Sequence, residues 1–364
     1  MSADDPQAKP RVRTGQTPTE LSKDEFIHRW NQNFYDPAFE KKRAELDAIG
    51  EIAWEAYHDS RKAPRTRKAG PGFADPEHEL SVEWLDAREK IIAAQKQHDS
   101  KASKTRVLLI CGSPRTDQTC PGEMSKTFRL TKTAEEIFAA ASGVAVDLLD
   151  LSVLTAEYGR KIYPCKACVS TAMPMCHWPC SCYPNHYLGQ TQDWMYEIYP
   201  RWVAAHGIMI VAPVHWYQLP SVFKLMMDRL VCADGGNPDP TSTHGKTPEE
   251  AKALELKGWY YPRHLAGRAF AVVVHGDAEG AGSVRRALHD WLSDMSLVPA
   301  SESAVIDRYI GYYKPYATSH DDLDHDMSIF EETRNAARAL INAMADLRAG
   351  IKPADRNITD PRPK

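Results

Sequence analysis

TRVLLIC (105–111), followed at once by Gly112-Ser113-Pro114-Arg115, is the stretch on which the fold turns. A continuous run of branched apolar residues, with no polar alternation, is what a strand buried on both faces of a parallel sheet requires. Reading outward, the chain repeats the pattern. A helix follows to about Ala141, then VAVDLLDL (144–151), a helix over Asp193–Ala204, and GIMIVAP (207–213). PSVFKLMMDRL (220–230) opens with Pro at a helix start and carries an apolar stripe. RAFAVVVHG (268–276), a helix over Ser283–Met295, VPASESAVI (298–306) and a closing helix over Glu331–Arg348 complete the series. Strand and helix alternate five times, which predicts an α/β fold with a doubly wound, five-stranded parallel sheet.

Upstream of residue 105 the character differs. Residues 1–20 lack periodicity and read as a disordered tail. Over Pro37–Ser60, Phe39, Leu46, Ile49, Ala53 and Tyr57 form one stripe, and over Glu79–His98 so do Val82, Leu85 and Ile92. Residues 21–104 are therefore expected to form a helical extension, its two helices joined by a basic, Pro/Gly-rich connector (61–79). Residues 105–350 form the main domain and 351–364 a tail. The extension's stripes need cover, from the main domain or from a second subunit.

Composition narrows the function. The 364 residues carry 45 Lys+Arg against 49 Asp+Glu, a net charge of −4, which excludes a globally basic nucleic-acid binder. With 43% apolar and 26% charged residues the chain is not mostly disordered. The N-terminus has no apolar core of a secretory signal, and no apolar run exceeds strand length, so a soluble, cytoplasmic protein without membrane partners is expected.

In doubly wound sheets the ligand sits beyond the carboxyl ends of the strands. The first of these ends offers Ser113, Arg115, Gln118 and Thr119, with Ser125 and Thr127 near the next helix. Hydroxyls, an Arg and a helix N-terminus suit a phosphate monoester; a G-x-G-x-x-G or Walker motif is lacking. After the third strand comes Pro213-Val214-His215-Trp216-Tyr217, whose aromatic residues suit a flat heterocycle, unless His215 and Trp216 simply pack beneath the following helix. After the fourth come His275, Gly276 and Asp277 in a Gly-rich loop.

GSPR after the first strand, P-V-x-W…P before a helix ending in Asp228-Arg229-Leu230, and a Pro-Cys-x-x-Cys loop between them resemble the NADPH-dependent FMN reductase family over residues 105–306. The resemblance implies a flavodoxin-like fold with sheet order 2-1-3-4-5 and bound FMN. Ser113, Arg115, Gln118 and Thr119 would hold the phosphate. Pro213 to Tyr217 would line the ring, with His275, Gly276 and Asp277 at its other edge. It also implies hydride transfer from NAD(P)H through FMN to a quinone, flavin, nitro or azo acceptor, with His215, Tyr217 and His275 as candidate catalytic groups, and a homo-oligomer, dimer or tetramer. The long DQTCPGEMSKT segment, the insertion 232–263, the helical extension, and Tyr309, Tyr312, Tyr313 and Tyr316 have no counterpart in the family pattern.

Five of the eight cysteines, Cys165, Cys168, Cys176, Cys180 and Cys182, crowd the loop 164–184. The loop resembles that of iron–sulfur flavoproteins, with Thr171 where a ligand is expected. Four thiolates would hold a [4Fe–4S] cluster beside the flavin, which would make the protein an electron relay between redox partners. The same residues suit a structural zinc ion, a disulfide or packed free thiols. A non-catalytic flavodoxin-like module is the remaining alternative.

Overall fold

The computed structural model describes residues 10–59, 65–183, 193–277 and 279–353. Parts of the expected tails (1–9 and 354–364), of the basic connector (60–64) and of the Cys loop (184), together with Ala278, lie outside them. In chain order the elements are α1 (Lys23–Gln32), α2 (Arg43–His58), β1 (Thr66–Lys68), β2 (Glu79–Ser81), α3 (Val82–Asp99), β3 (Thr105–Cys111), α4 (Lys126–Ala140), β4 (Val144–Asp150) and α5 (Val153–Ala156). There follow α6 (Met195–Ala204), β5 (Gly207–Pro213), α7 (Ser221–Arg229), α8 (Pro248–Leu256), β6 (Ala269–Gly276), α9 (Ala281–Asp294), β7 (Val298–Pro299), β8 (Val305–Tyr309), α10 (Ser319–His325) and α11 (Met327–Arg348). No helix among the described residues is long and apolar enough to cross a membrane.

The chain divides into two compact units, and not at the boundaries read from the sequence. One comprises residues 1–86, 166–193 and 237–259; the other comprises 87–165, 194–236 and 260–364. Most of the Cys loop and much of the insertion thus cluster with the N-terminal helices instead of with the sheet.

The second unit holds the parallel sheet, in the order β4-β3-β5-β6, with β7 and then β8 pairing with β6. This is the expected 2-1-3-4-5 arrangement, with one correction: the fifth strand is broken in two. Pro299 has no N–H to continue the ladder, and a 3-10 turn over Glu302–Ala304 separates the pieces. β5 and β6 are buried along their whole length, as continuous apolar runs predict. Alternation sends Val107, Leu109, Met209, Val211, Ala271 and Val273 to one face, against Leu130, Ala134 and Phe138 of α4 and Ala336, Leu340 and Met344 of α11. The opposite face is covered by α6, α7 and α9, where Trp291 makes edge contacts with Trp202 and Phe223.

In the first unit α1 packs on α2 through Phe26, whose ring lies 5.6 Å from Trp54 and 5.0 Å from Tyr57. The buried stripe of α2 is Leu46, Gly50, Ala53 and Ala56. Phe39 and Ile49, expected on it, are 40% and 44% exposed. The stripe is displaced because Trp30 lies against Gly50, where a Cβ would come within 2.9 Å of the indole. Along α3 the buried positions are Trp84, Leu85, Ala87, Ile91 and Ala94, and Ile92 faces outward. Part of each stripe is thus covered within the chain, while Phe39, Ile49 and Ile92 stay exposed.

Candidate functional site

A crevice opens at the carboxyl ends of β3, β5 and β6. One wall is Ser113, Arg115, Ser125, Lys126 and Thr127; the rest is Pro213, Val214, His215, His275, Gly276, Asp277 and Ile310. The first wall is built where the loop after β3 returns to start α4. Ser125 caps that helix by accepting from the Phe128 N–H at 3.1 Å, which leaves the first N–H groups and their positive end at the crevice. Ser113, buried directly after β3, accepts from the Arg115 N–H at 3.2 Å and fixes the turn.

Two cations, Arg115 and Lys126, stand on this wall. The ammonium of Lys126 titrates below the ordinary lysine range, through burial first and then the like charges of Arg115 and Arg129. The buried Nε of Arg115 has no hydrogen-bond partner among the described residues. Its Nη2 makes only a long contact, 3.4 Å, with Glu123. A buried donor left in this condition costs about 1–3 kcal/mol until something accepts from it. An anion with several acceptor oxygens meets that need, so the residues present fit the phosphate of FMN.

The sequence-predicted residues are partly brought together here. Ser113, Arg115, Pro213, Val214, His215, His275, Gly276 and Asp277 all line the crevice. Gln118 and Thr119 do not. Gln118 is exposed and bonds Asp117, while the Thr119 hydroxyl donates to the Thr116 carbonyl at 3.1 Å within its own turn. Their places on the wall are taken by Ser125, Lys126 and Thr127. Lys126 was the residue overlooked, although Ser-Lys-Thr at a helix start offered the signal. Ile310 had no sequence signal.

His275 is 4% exposed and shares a 2.8 Å hydrogen bond through Nε2 with the Thr127 hydroxyl. Burial, then Lys126 and His215, pull its pKa down to about 3. It is neutral at physiological pH, and its hydrogen bond fixes the Thr127 hydroxyl. His215 is also shifted down, by burial and then by Arg115. It stands at the open side of the crevice. Neither it nor Trp216 is packed beneath the following helix.

The chain leaves β5 through a tight turn closed by the His215 N–H donating to Gln218 O at 2.8 Å and the Gln218 N–H donating back at 3.0 Å. Both central residues are left-handed, Trp216 at φ +48° and Tyr217 at +68°. Beyond β8 the turn over 311–314 repeats the geometry, with Tyr312 at φ +57° and Tyr313 at +54°. Such turns favour Asn-Gly, and each aromatic residue held there costs roughly 1–2 kcal/mol. Trp216 and Tyr217 remain 91% and 59% exposed. They form the rim of the crevice, not its lining.

In the other unit four of the five loop cysteines converge. Cys168 shares hydrogen bonds with Cys176 and Cys182, and Cys182 with Cys180. Cys165 belongs to the sheet-containing unit. The bond to Cys176 first, and burial, push the Cys168 thiol up to about 11. Burial depresses the Lys246 ammonium, but the four sulfurs reverse this and hold its pKa above the ordinary value. Its Nζ donates to Met175 O at 2.5 Å and approaches Cys168 Sγ at 3.7 Å. No disulfide links the cysteines among the described residues. Among the described residues no group of three His, Cys, Asp or Glu side chains is arranged to hold a metal ion. A [4Fe–4S] cluster is therefore not supported.

Fold and crevice together define a flavodoxin-like α/β protein with a cation-lined crevice at the carboxyl edge of its sheet. The model of the family described as NADPH-dependent FMN reductase matches residues 105–309, more than half of the chain. The chain belongs to that family, and with it to the FMN-dependent NAD(P)H oxidoreductases. Similar solved structures include RosB with the bound intermediate 8-demethyl-8-formylriboflavin-5′-phosphate (11% identity, TM-score 0.45, 71% of this chain and 91% of that one). Others are an NADH:FMN oxidoreductase in its apo form (13%, 0.37, 69% and 91%) and an FMN-dependent NADH-azoreductase from Bacillus anthracis str. Ames Ancestor in complex with FMN (17%, 0.38, 65% and 100%). No curated protein matches the sequence.

Proposed function

We propose that this crevice binds FMN and that the protein uses NAD(P)H to reduce a small organic acceptor of the quinone or flavin type. The observation that carries the assignment is the buried Nε of Arg115, without an acceptor among the described residues, beside Lys126 on a wall of hydroxyls. When bound, FMN supplies the chemistry, accepting hydride from the nicotinamide and passing two electrons on. The chain's own residues bind and orient. Arg115 and Lys126 neutralise the phosphate, while Ser113, Ser125 and Thr127 offer hydroxyls to it. Neutral His275 holds Thr127 in place without adding a charge. Pro213, Val214, Gly276 and Asp277, which line the rest of the crevice, would hold the remainder of the cofactor. His215 and Tyr217, at the open side, are the groups placed to hand a proton to the acceptor. Eight cysteines without a disulfide among the described residues suit a reducing, cytoplasmic setting. The relay through an iron–sulfur cluster has no such support, since no metal-holding group of His, Cys, Asp or Glu is found among the described residues.

The test is steady-state NADPH oxidation by FMN-reconstituted protein with 1,4-naphthoquinone as acceptor. Turnover that requires both FMN and protein is expected; its absence with NADPH and with NADH overturns the proposal.

A further inference from the structure

A cavity of about 530 Å³ is built entirely from the first unit, by three stretches far apart in sequence: 66–84, 166–182 and 240–246. None of its lining residues lines the crevice. Hydrogen bonds brace the three stretches. The indole N–H of the buried Trp84 donates to Pro179 O at 2.8 Å, and the Asp75 N–H donates to the Thr241 hydroxyl at 2.9 Å. The Asn237 N–H donates to Cys176 O and the Trp178 N–H to Asn237 O, both at 2.7 Å. The space is therefore formed before anything enters it, and it falls within the range of about 300–1,000 Å³ that ligand sites commonly take.

Leu80, Trp84, Met175 and Pro240 give the cavity apolar walls, joined by the thiols of Cys168 and Cys182. Among them stands the ammonium of Lys246, which has three donors. One is given to Met175 O at 2.5 Å, and another approaches Cys168 Sγ, a weak acceptor, at 3.7 Å. No carboxylate pairs with Lys246 among the described residues. Glu79, which also lines the cavity, accepts instead from the Thr66 hydroxyl. The sulfurs do not neutralise the ammonium either. The bond to Cys176 raises the Cys168 thiol and the bond to Cys168 raises that of Cys182, with burial adding to both, so neither is a thiolate at neutral pH. Lys166 adds a second ammonium to the lining, held 4.9 Å from the centre of the Tyr183 ring. A partly buried cation without a counter-ion is costly until an anion reaches it.

We propose that this cavity binds a small apolar monocarboxylate, its carboxylate accepting from Lys246 and its apolar body lying along Leu80, Trp84 and Met175. The ligand class follows from the two kinds of lining. One ammonium with a spare donor matches a single negative charge. A phosphate or a dicarboxylate would lose more hydration on these walls than one cation returns, and an uncharged ligand would leave the ammonium unmatched. The site uses no residue of the crevice and stands apart from the cofactor assignment.

The probe is 2-naphthoate, with 2-naphthylmethanol as its uncharged counterpart, each titrated by calorimetry into the full-length protein. One equivalent of naphthoate should bind, more tightly than the alcohol. Lys246→Met should weaken naphthoate about 12- to 140-fold, the worth of one charge-assisted hydrogen bond, and leave the alcohol unchanged. Lys246→Arg should keep the preference for the acid. Bound naphthoate should also slow alkylation of Cys168 and Cys182 by iodoacetamide, read by peptide mass mapping. Equal binding of acid and alcohol by the wild-type protein, undiminished affinity in Lys246→Met, or unprotected thiols overturns the site. Displacement of naphthoate by FMN would place the anion in the crevice and overturns it as well.

Discussion

Replacing Arg115 by Ala removes the group on which the cofactor assignment rests. Among the described residues its buried Nε lacks an acceptor and its one ion pair, to Glu123, is 3.4 Å long with both side chains more than a third exposed. Such a pair contributes little to stability, so the substitution should leave the unfolding midpoint of the free protein unchanged or slightly higher. In the complex a charge-assisted hydrogen bond is lost, worth about 1.5–3 kcal/mol. At about 1.4 kcal/mol per factor of ten, the Kd for FMN should rise about 12- to 140-fold. The assay is a titration followed by quenching of flavin fluorescence, run in parallel with riboflavin, which has the ring and ribityl chain but no phosphate. Riboflavin should bind the Ala variant as well as it binds wild type, and added salt should narrow the FMN difference. Equal losses for both ligands, or no loss for FMN, would refute the argument that Arg115 faces the phosphate.

Other consequences follow from the same geometry. Thr127→Val leaves His275 Nε2 buried without its 2.8 Å partner and should destabilise the protein by about 1–3 kcal/mol in urea unfolding; a change under 0.5 kcal/mol would count against that bond. His275, His206 and His264 have folded pKa values lowered to about 3, 4 and 4. The unfolded chain takes up their protons first, so stability is full above about pH 6.5 and is lost as pH falls towards 4, with a slope of up to about 1.4 kcal/mol per pH unit for each histidine. A flat profile between pH 6.5 and 4.5 would contradict this. Lys246→Met removes the ammonium that favours the thiolate of Cys168, and should slow labelling of the native thiols by a disulfide reagent at pH 8; faster labelling would reverse the reading. Iron, sulfide and zinc assays on anaerobically purified protein should find no stoichiometric metal, and one equivalent would overturn the packed-thiol reading.

Much of the fold was legible because β3, β5 and β6 are covered on both faces, so their sequences carry no polar alternation to confuse the reading. Where one residue overrides a pattern, legibility ends. Pro299 splits the last strand, and Gly50 takes the place on the α2 stripe that Ile49 would have filled by spacing alone. At the site, strand ends point the chain into the crevice, so Ser113, Val214 and Gly276 could be placed from sequence. The loop after β3 has no such rule. Gln118 and Lys126 are equally polar, and only the return of the loop to the start of α4 decides which one faces the ligand. His275 reads as a reactive residue by its position, but desolvation at the end of a fully buried strand makes it a neutral one. The cysteines were conspicuous in the sequence, yet their spacing could not show that four of them pack against one lysine.

The central claim is that this chain carries FMN as a hydride acceptor, and the anaerobic half-reaction tests it most directly. FMN-reconstituted protein, freed of excess cofactor, is titrated with NADPH and then NADH while the visible spectrum is recorded. One equivalent of at least one nicotinamide should bleach the oxidised flavin completely, and 1,4-naphthoquinone should then restore the yellow spectrum. Flavin that stays oxidised with both nucleotides, or that washes away before the titration begins, would contradict the account.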